Sequence, residues 1–276
     1  MAKLNCLYII ATPIGNLRDI SYRALECLQA ADVIAAEDTR HSQRLLMHYQ
    51  ITTPMISMHE HNEHERSAEI LSRMQRGETV ALISDAGTPL ISDPGSHLVR
   101  TVREAGYRVT PVPGACACVA ALSAAGLPTN QFLFVGFLPT KNQARMQLLT
   151  DYLRSTATLV LYEAPHRIVQ LIEALMSLQQ GEREIAIARE ITKTFETFFL
   201  GTIAEAANWL KADCHQQKGE FVVMIKGAAE VVPEREEQMK VLKLLLAEMP
   251  LKKAVKLTQA IVGGDRNALY ELGLQC

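Results

Sequence analysis

The chain has 276 residues, 48 % of them hydrophobic and 21 % charged, with a formal net charge of -2. This is an ordinary globular mixture, long enough for about two cored domains, and its charge argues against a histone-like or polybasic binder without excluding a local basic face. Six scattered cysteines with no C-x-x-C pair speak against a disulfide scaffold or a structural zinc site.

The opening run MAKLNCLYIIATPIGN breaks at Pro13, too short for a secretory signal, and no stretch approaches the ~20 apolar residues of a membrane span. A cytoplasmic protein is therefore expected. LYIIA (7–11) predicts a strand closed by a Pro13–Asn16 turn, and SYRALECLQAA a helix with Leu25 and Leu28 at helical spacing. VIAAE (33–37) reads as a second buried strand, TRHSQRLLMHYQI as a helix, and MISMH as a strand. A polar helix follows from about Glu63 to Arg76, then strand TVALIS (79–84), a helix over roughly 95–105, and strand YRVTPV. Apolar strands separated by helices of this length imply βαβ crossovers and a parallel sheet buried on both faces.

Past Val112 the rhythm changes. PGACACVAALSAAGLP (113–128) reads as a small-residue helix, with Cys116 and Cys118 as small packing residues near its start. Strands FLFVGFLP, TLVLYEAP, EIAIARE, ETFFLGT and EFVVMIKG then alternate irregularly with helices near 142–154, 166–178 and 203–211, which predicts a mixed sheet. VVPEREEQ (231–238) reads as a polar linker. From Met239 to Leu274 the pattern gives two or three short helices broken at Met249-Pro250 and Gly263-Gly264. The expected fold is α/β: a parallel-sheet domain over 1–112, a mixed-sheet domain over 113–228 and a small helical domain over 234–276.

The loudest compositional signal is His59-Glu60-His61-Asn62-Glu63-His64-Glu65. It lacks the H-E-x-x-H spacing that puts two ligands on one helical face, so no metal site is expected. A solvated loop is the simpler reading, with His59 and His61 lining a substrate cleft. The chain has no G-x-S-x-G elbow, no P-loop and no G-x-G-x-x-G turn after its first strand. What it has is three proline-and-glycine turns, at Pro13–Asn16, Asp85–Pro89 and Pro113–Ala117, each after an apolar strand. One such turn is commonplace. Three at the carboxyl ends of parallel strands describe a shared rim where backbone groups approach a ligand. That rim suits a neutral or cationic nucleoside-like molecule, with Asp85 available to a ribose hydroxyl or an amine.

The ordered series IATPIGNL, AADVIAAEDTR, SDAGTPLISDPG, VPGACACVAALSAAGLP, LVLYEAPHR, AREITKTFE and GEFVVMI resembles the tetrapyrrole methylase superfamily of S-adenosylmethionine-dependent methyltransferases. EDTRHSQRLL, HEHNEHE, YEAPHR and REITKTFETFFLGT are similar to its branch that methylates the ribose 2′-oxygen of a cytidine in the decoding region of small-subunit (16S) ribosomal RNA. The likeness runs from residue 4 to 274. It implies two α/β domains flanking an S-adenosylmethionine cleft, a homodimer, and ribosomal RNA, in the assembled 30S particle, as partner. It places Pro13, Gly15, Asp85, Ala86, Gly87, Thr88, Pro89, Gly114, Cys116, Ala117, Leu161, Tyr162, Gly219, Glu220 and Phe221 at the cofactor. Many relatives open with G-x-G-P-G-D, whereas Ala11 and Asn16 stand here, which weakens any cofactor role for Asn16.

A ribose hydroxyl is a poor nucleophile, so a base is expected nearby. Glu37, Asp38, Glu163 and His166 are the candidates, with Glu190 beside them, and Arg40 and Arg167 suit a backbone phosphate. The tail resembles the helix-turn-helix-like domain of the same branch. Its expected core face is Leu251, Ala254, Leu257 and Ile261, leaving Lys252, Lys253, Lys256 and Arg266 for phosphates. Two rival readings are a methyltransferase for a tetrapyrrole or other small molecule, and a non-catalytic RNA-binding or assembly factor.

Overall fold

The structure is a computed structural model that describes residues 5–229 and 235–274. The chain divides into two compact units at Gly227–Ala228. The larger begins with β1 (Cys6–Ile10), α1 (Tyr22–Ala30), β2 (Val33–Ala36), α2 (Thr39–His48), β3 (Met55–Ser57), α3 (Glu63–Gln75), β4 (Val80–Ile83), α4 (Ser96–Glu104) and β5 (Arg108–Val112). These strands form one parallel sheet in the order β3-β2-β4-β1-β5. Alternate strand residues serve opposite faces. Ile10, Ile34, Ala81 and Ile83 pack with Ala24, Leu28 and Leu46, while Leu7, Val33, Val80 and Leu82 pack with Ile70, Met74, Leu98 and Val102. Burial on both sides is why these strands read as unbroken apolar runs.

The same unit continues with α5 (Ala117–Ala124), β6 (Phe132–Phe137), α6 (Asn142–Tyr152), β7 (Thr158–Glu163), α7 (Ile168–Ser177), β8 (Glu184–Arg189), β9 (Thr197–Thr202), α8 (Ile203–Ala212) and β10 (Phe221–Ile225). The second sheet has the order β6-β7-β10-β8-β9, parallel only between β6 and β7. Leu159, Leu161, Ile185, Ile187 and Val223 face the core shared with α6, α7 and α8. Val160, Ala186, Ala188, Val222 and Met224 face α5, whose Cys118, Ala121, Leu122 and Ala125 pack against them. The small-residue helix is shorter than expected: it starts at Ala117, because Pro113–Cys116 is an extended turn.

The second unit contains α9 (Arg235–Leu246), α10 (Leu251–Val262) and α11 (Arg266–Leu274). Leu242, Ala254, Val255, Leu269 and Leu272 form its core. Two expectations are corrected here. The polar stretch expected as linker is helical from Arg235, and its residues 231–234 lie outside the described residues. Ile261 is 62 % exposed, whereas Val255 and Thr258 are buried beside Ala254. The buried stripe runs 254-255-258 with Leu251 half-buried beside it, so the helix is rotated by roughly 60° from the expected face. Lys252, Lys253 and Lys256 are exposed. Among the described residues no helix is long and apolar enough to cross a membrane.

Candidate functional site

β4, β1 and β5 are neighbours, so their three following turns meet at one sheet edge. The Thr12 amide donates to the Gly87 carbonyl (2.8 Å) and the Gly87 amide to the Thr12 carbonyl (3.0 Å). The Thr12 hydroxyl donates to the Ser84 carbonyl at 3.2 Å, and the Thr88 hydroxyl to the Ala115 carbonyl at 3.0 Å. Gly87 sits at φ 88, with Ile14 3.3 Å from where a Cβ would stand, so a side chain here is both strained and crowded. The loop after β4 also holds Leu90 at φ 73 and Ser92 at φ 70. Backbone strain of this kind persists only where surrounding contacts enforce it, and it concentrates at functional sites.

Above this rim lies a cavity of ≈ 410 Å³, closed on its other side by the second sheet. Tyr162, at the end of β7, accepts the Cys118 amide on its phenolic oxygen at 3.1 Å and packs edge-on against Phe134 and Phe137. Glu163 follows it. One of its oxygens accepts the Ala164 amide at 2.9 Å and lies 3.2 Å from Arg167 Nε. The other, Oε2, is buried with no hydrogen-bond partner, and the side chain is 1 % exposed. Glu163 is thus a cavity-lining residue whose carboxylate has one oxygen unsatisfied by the protein. Burial pushes the Glu163 carboxyl above the usual range, outweighing the Ala164 amide and the cations Arg167 and Arg145.

The loop after β8 forms the remaining wall. The Glu190 amide donates to the Glu220 carbonyl (3.0 Å), and the Glu220 amide returns a bond to Glu190 Oε1 (2.9 Å). Lys193 bridges both carboxylates at 2.9 Å. Burial opposes ionisation of Glu190, yet the Glu220 amide and Lys193 hold its carboxyl below the usual range. Gly219, at φ 96, makes this possible, because a Cβ there would meet Glu190 Cγ at 2.4 Å.

Of the residues expected at the cofactor, Ala86, Gly87, Thr88, Cys116, Ala117, Tyr162, Glu220 and Phe221 line the cavity. Pro13, Gly15, Asp85, Pro89, Gly114, Leu161 and Gly219 do not. Leu161 turns to the opposite face of its sheet and is fully buried. Gly15 lies against Thr192 and Lys193, and the Asn16 amide donates to Thr192 Oγ1 at 3.2 Å, so that turn braces the Glu190 loop while its Ile14 lines the cavity. Asp85 Oδ1 accepts the Asp38 amide at 3.1 Å.

The candidate bases separate. Glu163 is in the wall, while Glu37, Asp38 and His166 are not. Glu37 sits at the end of β2, where burial, then Asp93, Asp85 and Asp38, push its carboxyl up to about 6. Its proton is held more tightly in the folded chain than in the unfolded one, whose glutamates titrate near ~4.3. Stability contributed by this group is therefore present at low pH and is lost as pH rises through that window. Glu37→Gln is expected to raise the melting temperature at about pH 8 and leave it unchanged at about pH 4, as read by thermal melts at both values.

Arg167 is not free for a phosphate: its Nη2 donates to the Leu138 carbonyl at 2.7 Å and the Pro139 carbonyl at 3.3 Å. Arg40 is exposed and without an ion pair among the described residues. His59 and His61 stack edge to face at 6.0 Å in the turn before α3. Sequence reasoning missed Ser92 and Asp93, which line the cavity. Burial, then Asp85, raises the Asp93 carboxyl against the opposing bond from the Ser84 hydroxyl. The signal was available in S-D-P-G, a second serine–aspartate pair within the same loop.

Residues 6–207 match the family of Tetrapyrrole (Corrin/Porphyrin) Methylases, and residues 232–276 match the RsmI C-terminal HTH domain. A ribosomal RNA small subunit methyltransferase I from Pseudomonas aeruginosa is 52% identical over 274 residues, covering 98% of this chain and 96% of the relative. Its counterpart from Haemophilus influenzae is 48% identical, covering 97% and 96%. Among solved structures, a diphthine synthase superposes with a TM-score of 0.64 at 15% identity, covering 80% of this chain and 90% of that one. A uroporphyrin-III C-methyl transferase from Thermus thermophilus complexed with S-adenyl homocysteine gives 0.55 at 17% identity, covering 79% and 96%. At those identities the structural likeness carries the fold alone.

Proposed function

We infer the reaction from one premise: this chain belongs to the tetrapyrrole methylase family, in the branch of the small-subunit ribosomal RNA methyltransferases I. It is an S-adenosylmethionine-dependent methyltransferase acting on 16S ribosomal RNA. The acceptor is the ribose 2′-oxygen of a cytidine in the decoding region, presented by the assembled 30S particle in the cytoplasm. The observation that carries this reading is the orphaned Glu163 oxygen, buried in the wall of a cavity whose floor is peptide backbone.

The cavity fits the cofactor. Its ≈ 410 Å³ is within the usual range for small-molecule sites, and its walls combine apolar side chains with the carboxylates Asp93 and Glu163. Ala86–Thr88, Cys116–Ala117 and Glu220–Phe221 would hold the nucleoside, with Asp93 facing its cationic or hydroxyl groups. When bound, S-adenosylmethionine supplies an electrophilic methyl on a sulfonium that departs as a neutral thioether. The chain's work is alignment, which contributes roughly 7–11 kcal/mol when the reacting atoms are held in line. Glu163 Oε2 takes the hydroxyl proton as the oxygen–carbon bond forms, and burial makes it the more basic for that task. Arg167 fixes the other oxygen and spans to the β6 end. Arg40, His59, His61 and the tail lysines Lys252, Lys253 and Lys256 contact RNA.

Labelled S-adenosylmethionine incubated with intact small subunits, naked ribosomal RNA or a porphyrin precursor tests this. Label is expected in ribosomal RNA only, preferentially from assembled particles, and as 2′-O-methylcytidine after nuclease digestion. Label in the porphyrin, or in a base rather than a ribose, overturns it.

The active form is a homodimer. Edge strand β9 pairs Phe198 with Ala188 and Leu200 with Ala186, which turns both toward the α5 side of the sheet. There Leu200 is 55% exposed and Phe198 38%. An open edge strand with large apolar side chains exposed on one face is normally covered. The double variant Phe198→Glu/Leu200→Glu is expected to weaken self-association by at least ~30-fold in analytical ultracentrifugation.

A further inference from the structure

The histidine-rich turn before α3 contains one residue whose contacts lie far from it in sequence. Glu63 opens α3, and its Oε1 accepts three backbone amides from the start of α4: Gly95 at 3.0 Å, His97 at 2.8 Å and Leu98 at 3.4 Å. α4 has no cap of its own, because its N-cap residue is Gly95. A helix start leaves unsatisfied amides and a partial positive charge, and a carboxylate answers both. Glu63 therefore caps a helix to which it does not belong.

The segment ending in that helix start is the cavity loop. Leu90 and Ser92 occupy left-handed backbone at φ 73 and φ 70, and Gly95 follows at φ 128. Ile91, Ser92 and Asp93 line the cavity. Two unfavourable backbone conformations within three residues, followed by a turn that only glycine takes freely, must be enforced from both ends. Thr88 anchors the near end through the Ala115 carbonyl, and Glu63 anchors the far end.

We propose that Glu63 is a positioning residue for the cofactor: its carboxylate, clamped on the first amides of α4, fixes the strained loop that presents Ser92 and Asp93 to the S-adenosylmethionine cavity. This rests on the cavity being the cofactor site, as argued above. Glu63 does not itself line the cavity, so its effect is expected to fall on cofactor affinity through the loop and to leave chemistry unchanged.

The test uses the full chain and calorimetric binding of S-adenosylhomocysteine, with steady-state kinetics on 30S particles. Glu63→Ala is expected to raise the dissociation constant and the KM for S-adenosylmethionine by about 10-fold, in keeping with loss of a charged helix cap. kcat at saturating cofactor and KM for the particle are expected to stay within about 3-fold. Glu63→Gln, which keeps an acceptor at the same reach, is expected to recover most of the affinity. Glu63→Asp, one methylene shorter, is not. Unchanged binding in a folded Glu63→Ala overturns the proposal, as does a rise confined to KM for the particle. If the alanine variant fails to fold, equal affinities in Glu63→Asp and the parent overturn it. Absence of binding by the parent itself would instead refute the cofactor assignment on which the proposal stands.

Discussion

Glu163→Gln is expected to lower kcat by ~10²–10⁴-fold, the usual contribution of a positioned general base. Cofactor affinity should change little, since glutamine keeps the shape and one oxygen of the group. The reason lies in the asymmetry of the carboxylate: Oε1 is occupied by the Ala164 amide and Arg167, while Oε2 is buried and has no partner. The oxygen without competing donors is the better placed of the two to receive a proton. Activity should rise with pH as Glu163 ionises and fall as pH drops through its pKa. Because burial raises that pKa, this acid limb sits above the range of an ordinary glutamate. Glu163→Gln should abolish the limb along with most of the rate. Single-turnover methylation across pH, on 30S particles with saturating cofactor, reads both. Full activity in the variant would move the base to another group.

Asp93→Ala is expected to weaken binding of S-adenosylmethionine by roughly 10–100-fold, the range for loss of a hydrogen bond to a charged group. Asp93 is half-buried in the cavity wall and crowded by Asp85. A carboxylate kept there against its burial cost needs a compensating partner, and a cationic nucleoside provides one. Calorimetry with S-adenosylmethionine and S-adenosylhomocysteine in parallel measures the loss. A dissociation constant within twofold of the parent for both ligands would remove Asp93 from the site. The melting temperature should rise or hold in the variant, since a carboxyl with a raised pKa costs stability at neutral pH.

Strand and helix positions were largely legible because their causes are local. Apolar runs such as VIAA and VALI mark doubly buried strands, and Ser21, Asp38 and Thr202 each cap the helix that follows through their own side chains. The three proline-and-glycine turns were legible as turns for the same reason. Their convergence was a topological inference, and the order β4-β1-β5 bears it out.

The site itself was readable to the resolution of a loop. Tyr162 and Leu161 are adjacent in a strand buried on both faces, so no alternation of polar and apolar residues tells which one meets the cavity. Arg167 carries the right chemistry for phosphate, but its partners Leu138 and Pro139 come from another strand end 28 or 29 residues away. Ile261 fits a helical stripe as well as Val255 does, and only the packing of α9 and α11 chooses between them.

By itself, the sequence determined the order of strands and helices, the turns between them and, through its motifs, the family and the chemistry. Short-range forces govern all of these: backbone sterics, capping and the spacing of apolar side chains. Tertiary structure alone decided that Glu163 keeps a free oxygen, that Asp93 enters the cavity and that Glu63 secures α4 from 32 residues away. Those outcomes depend on which groups remain unpaired once every nearer partner has been taken, and that depends on the whole packed chain.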